Sequence, residues 1–389
     1  MANQIDLLAK LREHLRLLNS KELAKKVFVG FDGFVDHVKK AVRERKNYKV
    51  HYFKTIQEFA SRLSAASGKS AQVEMVTQTI KLGGNAPILA NTLGRLGVGG
   101  YCVGSMGYPA RHPVFSAFNT RCEVVSVLDP GESDAVEFND GKLIFSDLNV
   151  FDTYTWDHVK VTAGIEKLRE AVQNSSLVAL VDWANLHHAS DLWDGLLHDI
   201  IKPSGRKDFS FLFDLCDPSK KTSQQIDEVM DLMSCFSTYG NVTFALNENE
   251  TLRIWCAING IDFANAVRDA KLPSVKEAGS MLFKSMNISC LLVHPVDCTI
   301  AYRAQGVIEL KGRLVTKPRV LTGGGDNLNA GYCLGVLAGF SMEDCILLGM
   351  AASGSYIENG VSPDLGDLIT YLDIWIAHLE QDEHQKPAP

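Results

Sequence analysis

Short apolar runs alternate along this chain with longer amphipathic stretches, and the alternation predicts most of its elements. Leu7, Leu8, Leu11, Leu15 and Leu18 recur at helical spacing, so residues up to about 26 are expected to form a helical extension packed on the body. Residues 27–30 (VFVG) predict a short buried strand, and the charged stretch VKKAVRERKNYKVHYF predicts exposed strands around a turn. Residues 55–68 read as a helix, opened by Thr55 and Glu58 as a capping box and closed near Gly68. Residues 73–82 alternate like a strand, and 86–97 (APILANTLGRLG) like a helix with small residues on one side. In AVEFNDGKLIF (135–145), Asp140-Gly141 between two alternating segments predicts a tight hairpin. Beyond it, strands (LVALVDWAN, FSFLFDLCDPS, VTFALNENE, ISCLLVHPV) alternate with helices, and two apolar helices close the pattern.

Strand–helix alternation implies parallel strands joined by helical crossovers. Ligands bind beyond the carboxyl ends of such strands. That places Asp32, Asp36, Asp182, Asp214, Asp217, Asn247 and Glu250 near one edge. The single domain is expected to span residues 1–389.

Composition narrows the function. Of 389 residues, 46% are hydrophobic and 22% charged, as in an ordinary globular chain with a large core. The net charge of −7 argues against a nucleic-acid or anionic-membrane partner. Nine cysteines, an odd number with no CxxC pair, fit reduced thiols better than a disulfide or zinc framework. The opening stretch carries charge throughout and lacks the apolar segment of a signal peptide. No run of about 18 apolar residues appears. A cytoplasmic protein is therefore expected.

The densest chemical signal is VLTGGGDNLNAG at 320–331. If a helix begins near Asp326, Gly323, Gly324 and Gly325 present unpaired N–H groups at its positive end. That arrangement suits the developing charge of a transferring phosphoryl group, and Asp326 stands where it could accept a hydroxyl proton. A capped helix after a flexible loop is the plainer alternative.

GGGDNLNAG resembles the GAGDxFxxG signature of the ribokinase-like (PfkB) carbohydrate kinases. GGNAPILANTLGRLG at 83–97 resembles a second signature of that family, and Asn247-Glu248-Asn249-Glu250 a third, NxxE. The three stand in the family order, and the resemblance spans about residues 27–375. It implies a three-layer α/β/α domain with a mostly parallel central sheet and a small β lid, here about 34–52, 71–82 and 132–149. It implies transfer of the ATP γ-phosphoryl group to a sugar hydroxyl, with Mg2+ as cofactor and room for a monovalent cation. Asp326 is then the base and Gly323–Gly325 the anion hole. Asn247 and Glu250 organise magnesium and phosphate through water, with no direct protein ligand assigned to the metal. Asp36, Gly83, Gly84 and Asn85 line the sugar site, with Asp32 competing with Asp36. Two lids could pair in a homodimer.

The chain departs from the family pattern at several points. The DT before the last signature is Val320-Leu321, the middle alanine is Gly324, the phenylalanine after the base is Leu328, and a sugar-contacting asparagine is Ile88. HPVDCTIAY replaces a TxGxxG turn. These leave the acceptor open: a nucleoside or vitamin kinase of the same fold, or a non-catalytic binding regulator, are the alternatives. GKS at 68–70 lacks the strand and glycine of a P-loop. His187-His188 lacks a third metal ligand, Lys220 and Lys221 read as a solvated helix start, and Trp183, Trp193 and Trp255 read as core.

Overall fold

The computed structural model describes residues 2–19, 23–320 and 322–384. Leu321 and the end of the QDEHQKPAP tail lie outside the described residues. In chain order the strands are β1 (Lys26–Phe31), β2 (Phe34–Lys46), β3 (Lys49–Tyr52), β4 (Met75–Gly83), β5 (Gly99–Gly104), β6 (Cys122–Ser126) and β7 (Gly131–Phe138). Then follow β8 (Gly141–Asp147), β9 (Ser175–Leu180), β10 (Phe209–Asp214), β11 (Gly240–Asn247), β12 (Cys290–His294), β13 (Cys298–Arg303) and β14 (Gly306–Lys311).

They form two sheets. The larger runs β14-β13-β12-β11-β10-β9-β1-β5-β6. Its members from β12 to β6 are parallel neighbours, whereas β13 and β14 are antiparallel. Side chains alternate across it, as strand geometry requires. On β1, Val27 and Val29 enter one core with Leu89, Leu334 and Leu348, while Phe28 enters the other with Phe211, Trp193 and Phe236. A helical layer therefore covers each face. The helix Ala2–Asn19 buries Leu8, Leu11 and Leu15 against the helices Met342–Asn359 and Leu365–His384.

The smaller sheet runs β3-β2-β7-β8, with β4 on the other side of β2. Its β7–β8 hairpin pairs Phe138 with Gly141, so the two-residue turn is Asn139-Asp140, one position earlier than the Asp140-Gly141 turn expected. Gly141, at φ 150, belongs to the strand. Trp183 and Trp193 are core, but Trp255 is only half-buried, its indole N–H donating to the Met281 sulfur. The nine cysteines are free thiols. Among the described residues, no helix is long and apolar enough to cross a membrane.

Candidate active site

A cavity of about 860 Å³ opens between the carboxyl edge of the larger sheet and the smaller sheet. The helix Gly324–Ala338 points its first turn into it. Its N-cap is Gly323, held at φ 82 in the left-handed region that costs a side chain strain, and no side chain caps it. The first N–H groups of a helix have no acceptor within it. Those after Gly323 therefore meet no N-cap side chain, and the turn that carries them lines the cavity.

Asp326 lies in that first turn, 8% exposed and lining the cavity. Burial holds its carboxyl well above the usual aspartate range, and the charges of Asp214, Asp32 and Asp36 add to the effect. Two neighbours fix the turn. The Asn327 amide donates to Gly323 O (2.7 Å), and the Thr92 hydroxyl donates to Asn327 Oδ1 (3.1 Å). Asn329 donates to Asp214 Oδ2 (2.8 Å), tying the same helix to the end of β10.

Asn247 and Glu250 form a complete capping box at the start of the helix Glu248–Ile258. Asn247 Oδ1 accepts from Glu250 N, and Glu250 Oε2 accepts from Asn247 N, each at 2.9 Å. The NxxE spacing thus has a local structural cause. Both residues also line the cavity, and burial followed by the charge of Asp214 raises the Glu250 pKa.

The two aspartates of FDGFVD separate. Asp36, on β2, lines the cavity and accepts from the Ser133 hydroxyl (2.6 Å). Asp32 lies beneath the floor, fully buried. Its Oδ2 accepts from Asn85 N (2.6 Å) and its Oδ1 from Ala86 N (2.7 Å), at the start of the helix Asn85–Arg95. Gly84 and Asn85 line the cavity, whereas Gly83 packs against Asp36. Ile88 and Val320 line it too.

Asp182 reaches the cavity from the strand edge expected of it, but sequence reasoning missed Asn185, His294 and Arg313 and read Lys220 as solvated. All of them line the cavity. Lys220 Nζ donates to Asn185 Oδ1, and Asn185 Nδ2 donates to Asp182 Oδ1 (2.6 Å). Lys221 turns away, donating to Leu186 O (2.9 Å) and sitting over the Trp183 ring. His294 is held neutral, its pKa lowered to about 4 by burial. Arg313 is paired with Glu358 through both terminal nitrogens. His187 and His188 are each bonded to Asp152, at its carboxylate and its carbonyl respectively. Among the described residues no cluster of three His, Cys, Asp or Glu is arranged to hold a metal.

The fold around this site is the ribokinase-like one. The protein is similar to a solved Arabidopsis thaliana ribokinase, described as complexed with ribose and ATP (TM-score 0.62, 15% identity, 90% of this chain and 99% of that one). It is also similar to a putative ribokinase II from E. coli, described as in complex with ATP and Mg2+ (TM-score 0.60, 12% identity, 90% and 99%). In sequence it is 23% identical over 358 residues to a ketohexokinase of Haloferax volcanii, covering 91% of this chain and 92% of that one. The family model of prokaryotic ketohexokinases matches residues 9–375, and the chain belongs to that family. It is therefore a carbohydrate kinase.

Proposed function

We propose that this kinase transfers the γ-phosphoryl group of ATP to a hydroxyl of a sugar, with a ketohexose as the first candidate acceptor. The observation that carries this reading is Asp326, buried in the first turn of an uncapped, glycine-led helix that faces the same cavity as Asp36. The likeness to the Haloferax volcanii ketohexokinase supports the acceptor class. The neighbours described with ATP, and with ATP and Mg2+, support the donor.

Asp326 accepts the proton of the attacking hydroxyl. A carboxyl whose pKa is raised by burial is the stronger base, and such a step contributes roughly 10²–10⁴-fold. The amides after Gly323 hold the charge that develops on the transferring group, which is where most of the catalytic effect of phosphoryl transfer lies. Asp36, Gly84 and Asn85 orient the sugar. Asp32 is left out of direct contact, because its oxygens are already taken by backbone amides.

The acidic wall that carries Asp214, Asp217 and Glu250 would meet a divalent cation through its water shell, since among the described residues no three such groups are arranged to ligate it directly. Burial first, and then the charge of Asp214, raises the Glu250 pKa, and Mg2+ is commonly held by few carboxylates and several waters. Bound there, Mg2+ would offset the phosphate charge. Lys220, on the same wall, adds a second positive group.

The smaller sheet acts as a lid that excludes water over the sugar. Ile80 on β4 and Phe145 on β8 are about half exposed, so two lids have apolar surface on which to pair. The free thiols agree with a cytoplasmic setting.

The test is release of ADP from Mg·ATP across a panel of ketohexoses, aldoses, sugar acids and nucleosides, with Asp326→Asn in parallel. Turnover of a ketohexose, lost by two or more orders of magnitude in the variant at unchanged sugar binding, is the expected result. Turnover of nucleosides alone would replace the acceptor. Binding of sugar without turnover would replace the enzyme reading by a regulatory one.

A further inference from the structure

Two carboxyl groups meet at the cavity floor, Asp182 lining the cavity and Asp32 lying beneath it. β1 and β9 run parallel with Gly30 beside Leu180, and Val181 N donates to Gly30 O. Two residues further along each chain stand Asp32 and Asp182, their side chains within hydrogen-bonding reach of each other. Both are fully buried. Asp182 occupies the left-handed region at φ 57, a conformation that non-glycine residues adopt at a cost where the surroundings impose it.

Their oxygens can be accounted for one by one. Both Asp32 oxygens accept backbone amides of Asn85 and Ala86, and Asp182 Oδ1 accepts from Asn185. Asp182 Oδ2 is buried and has no donor. An ionised carboxylate only accepts, so two such groups in contact offer each other nothing. One proton between them turns the repulsion into a hydrogen bond, and satisfies the orphaned oxygen.

We propose that Asp32 and Asp182 share one proton at neutral pH, and that Asp182 is thereby a positioning residue which holds Asp32 under the Gly84-Asn85 turn of the sugar-facing helix. The groups around the pair are Lys220 and Lys221, the thiols of Cys102 and Cys216, the Tyr154 hydroxyl and the Asp326 carboxyl. Lys220 favours charge on Asp182, but burial outweighs it, and the Asp182 pKa is raised to about 7. Asp32 is pushed well above its ordinary value by burial and by the charge of Asp182, against the two amide bonds. Two like carboxyls in one dry site cannot both ionise cheaply.

The sign of the pH dependence follows. A carboxyl with a raised folded pKa costs nothing below its unfolded value near 3.8, and destabilises increasingly as the pH climbs toward about 7. Asp182→Asn removes this cost, because the asparagine N–H donates to Asp32 at every pH.

The decisive measurement is the infrared difference spectrum between the parent and Asp182→Asn near neutral pH. The expected result is loss of one protonated-carboxyl band; a change confined to carboxylate bands overturns the shared proton. The melting temperature of the variant should gain on the parent as the pH rises from about 4 to 7, and a difference independent of pH counts against the proposal. If Asp182→Asn does not fold, Asp32→Asn is read by the infrared band alone, since it too leaves a single carboxyl but sets its N–H2 group against one of the two backbone amides.

The positioning half rests on the sugar-kinase reading. Asp182→Ala should raise the sugar KM about tenfold with little change in kcat, and Asp182→Asn should restore it. A KM unchanged in Asp182→Ala overturns that half. Absence of turnover in the parent itself would instead count against the kinase reading, and the infrared band stands apart from that outcome.

Discussion

Two helices aim their first turns at the same cavity, and both begin after a glycine in the left-handed region: Gly84 at φ 91 and Gly323 at φ 82. Neither glycine supplies a side-chain cap. They differ in what meets their free amides. At the helix Asn85–Arg95, the Asp32 carboxylate, brought up from the end of β1, takes the N–H groups of Asn85 and Ala86. At the helix Gly324–Ala338 no side chain of the N-cap does so, and the turn opens into the cavity. A glycine-led helix start is thus not in itself an anion site. On the proposed mechanism it becomes one where no N-cap side chain meets the amides, and it is a structural anchor where Asp32 does.

Substitution at the two glycines tests that division. A Cβ at Gly323 would stand 3.0 Å from the Tyr356 hydroxyl and would distort the amides after it. Gly323→Ala is expected to lower kcat by roughly 10²–10³-fold, on the scale of a lost oxyanion donor, with the sugar KM less affected. Steady-state kinetics read this directly. At Gly84 a Cβ would lie 2.5 Å from Asp32 Oδ2. Gly84→Ala should therefore cost stability first, about 2–4 kcal/mol in denaturant unfolding, since it combines backbone strain with a broken buried network. If Gly84→Ala matched the kcat loss of Gly323→Ala at unchanged stability, the two helix starts would have to be assigned the same role.

A smaller effect distinguishes the carboxyls themselves. Asp326 must be ionised to accept a proton, and its pKa is raised by burial. The acid limb of kcat/KM is therefore expected at higher pH than an ordinary aspartate would give, with activity falling as the pH drops through it. A pH profile flat down to the usual aspartate range would deny Asp326 this part.

The unequal legibility of the site has a physical basis. Gly323–Asp326 and Asn247–Glu250 were readable because their chemistry is local: a glycine-led helix start and a capping box each need residues only a few positions apart. Asp182 was placed by its position at a strand end, whereas Asn185, Lys220, His294 and Arg313 come from separate strand ends and connections and converge only in the folded sheet. Nothing in the local spacing of these four marks them. The choice between Asp32 and Asp36 was undecidable along the chain, because it depends on which carboxylate the start of a helix more than 50 positions later claims. The same limit applies to the fold. Strand–helix alternation announced the parallel strands, but β13 and β14, joined to β12 without helices, turn the sheet edge antiparallel. HPVDCTIAY is the last residue of β12, the turn and most of β13.

The strand that carries Asp36 has a mechanical consequence. β2 follows β1 after only Asp32 and Gly33 and then extends for 13 residues. At about 3.3 Å per residue it is a cantilever roughly 40 Å long. A rotation of about 10° at its root would carry the Asn47-Tyr48 tip about 7 Å, yet shift Asp36 by only about 1 Å. Leverage of this kind would let the outer edge of the smaller sheet sweep widely while Asp36, at the cavity, keeps its place. A reporter at the tip would follow the stroke, and one at Asp36 would scarcely register it.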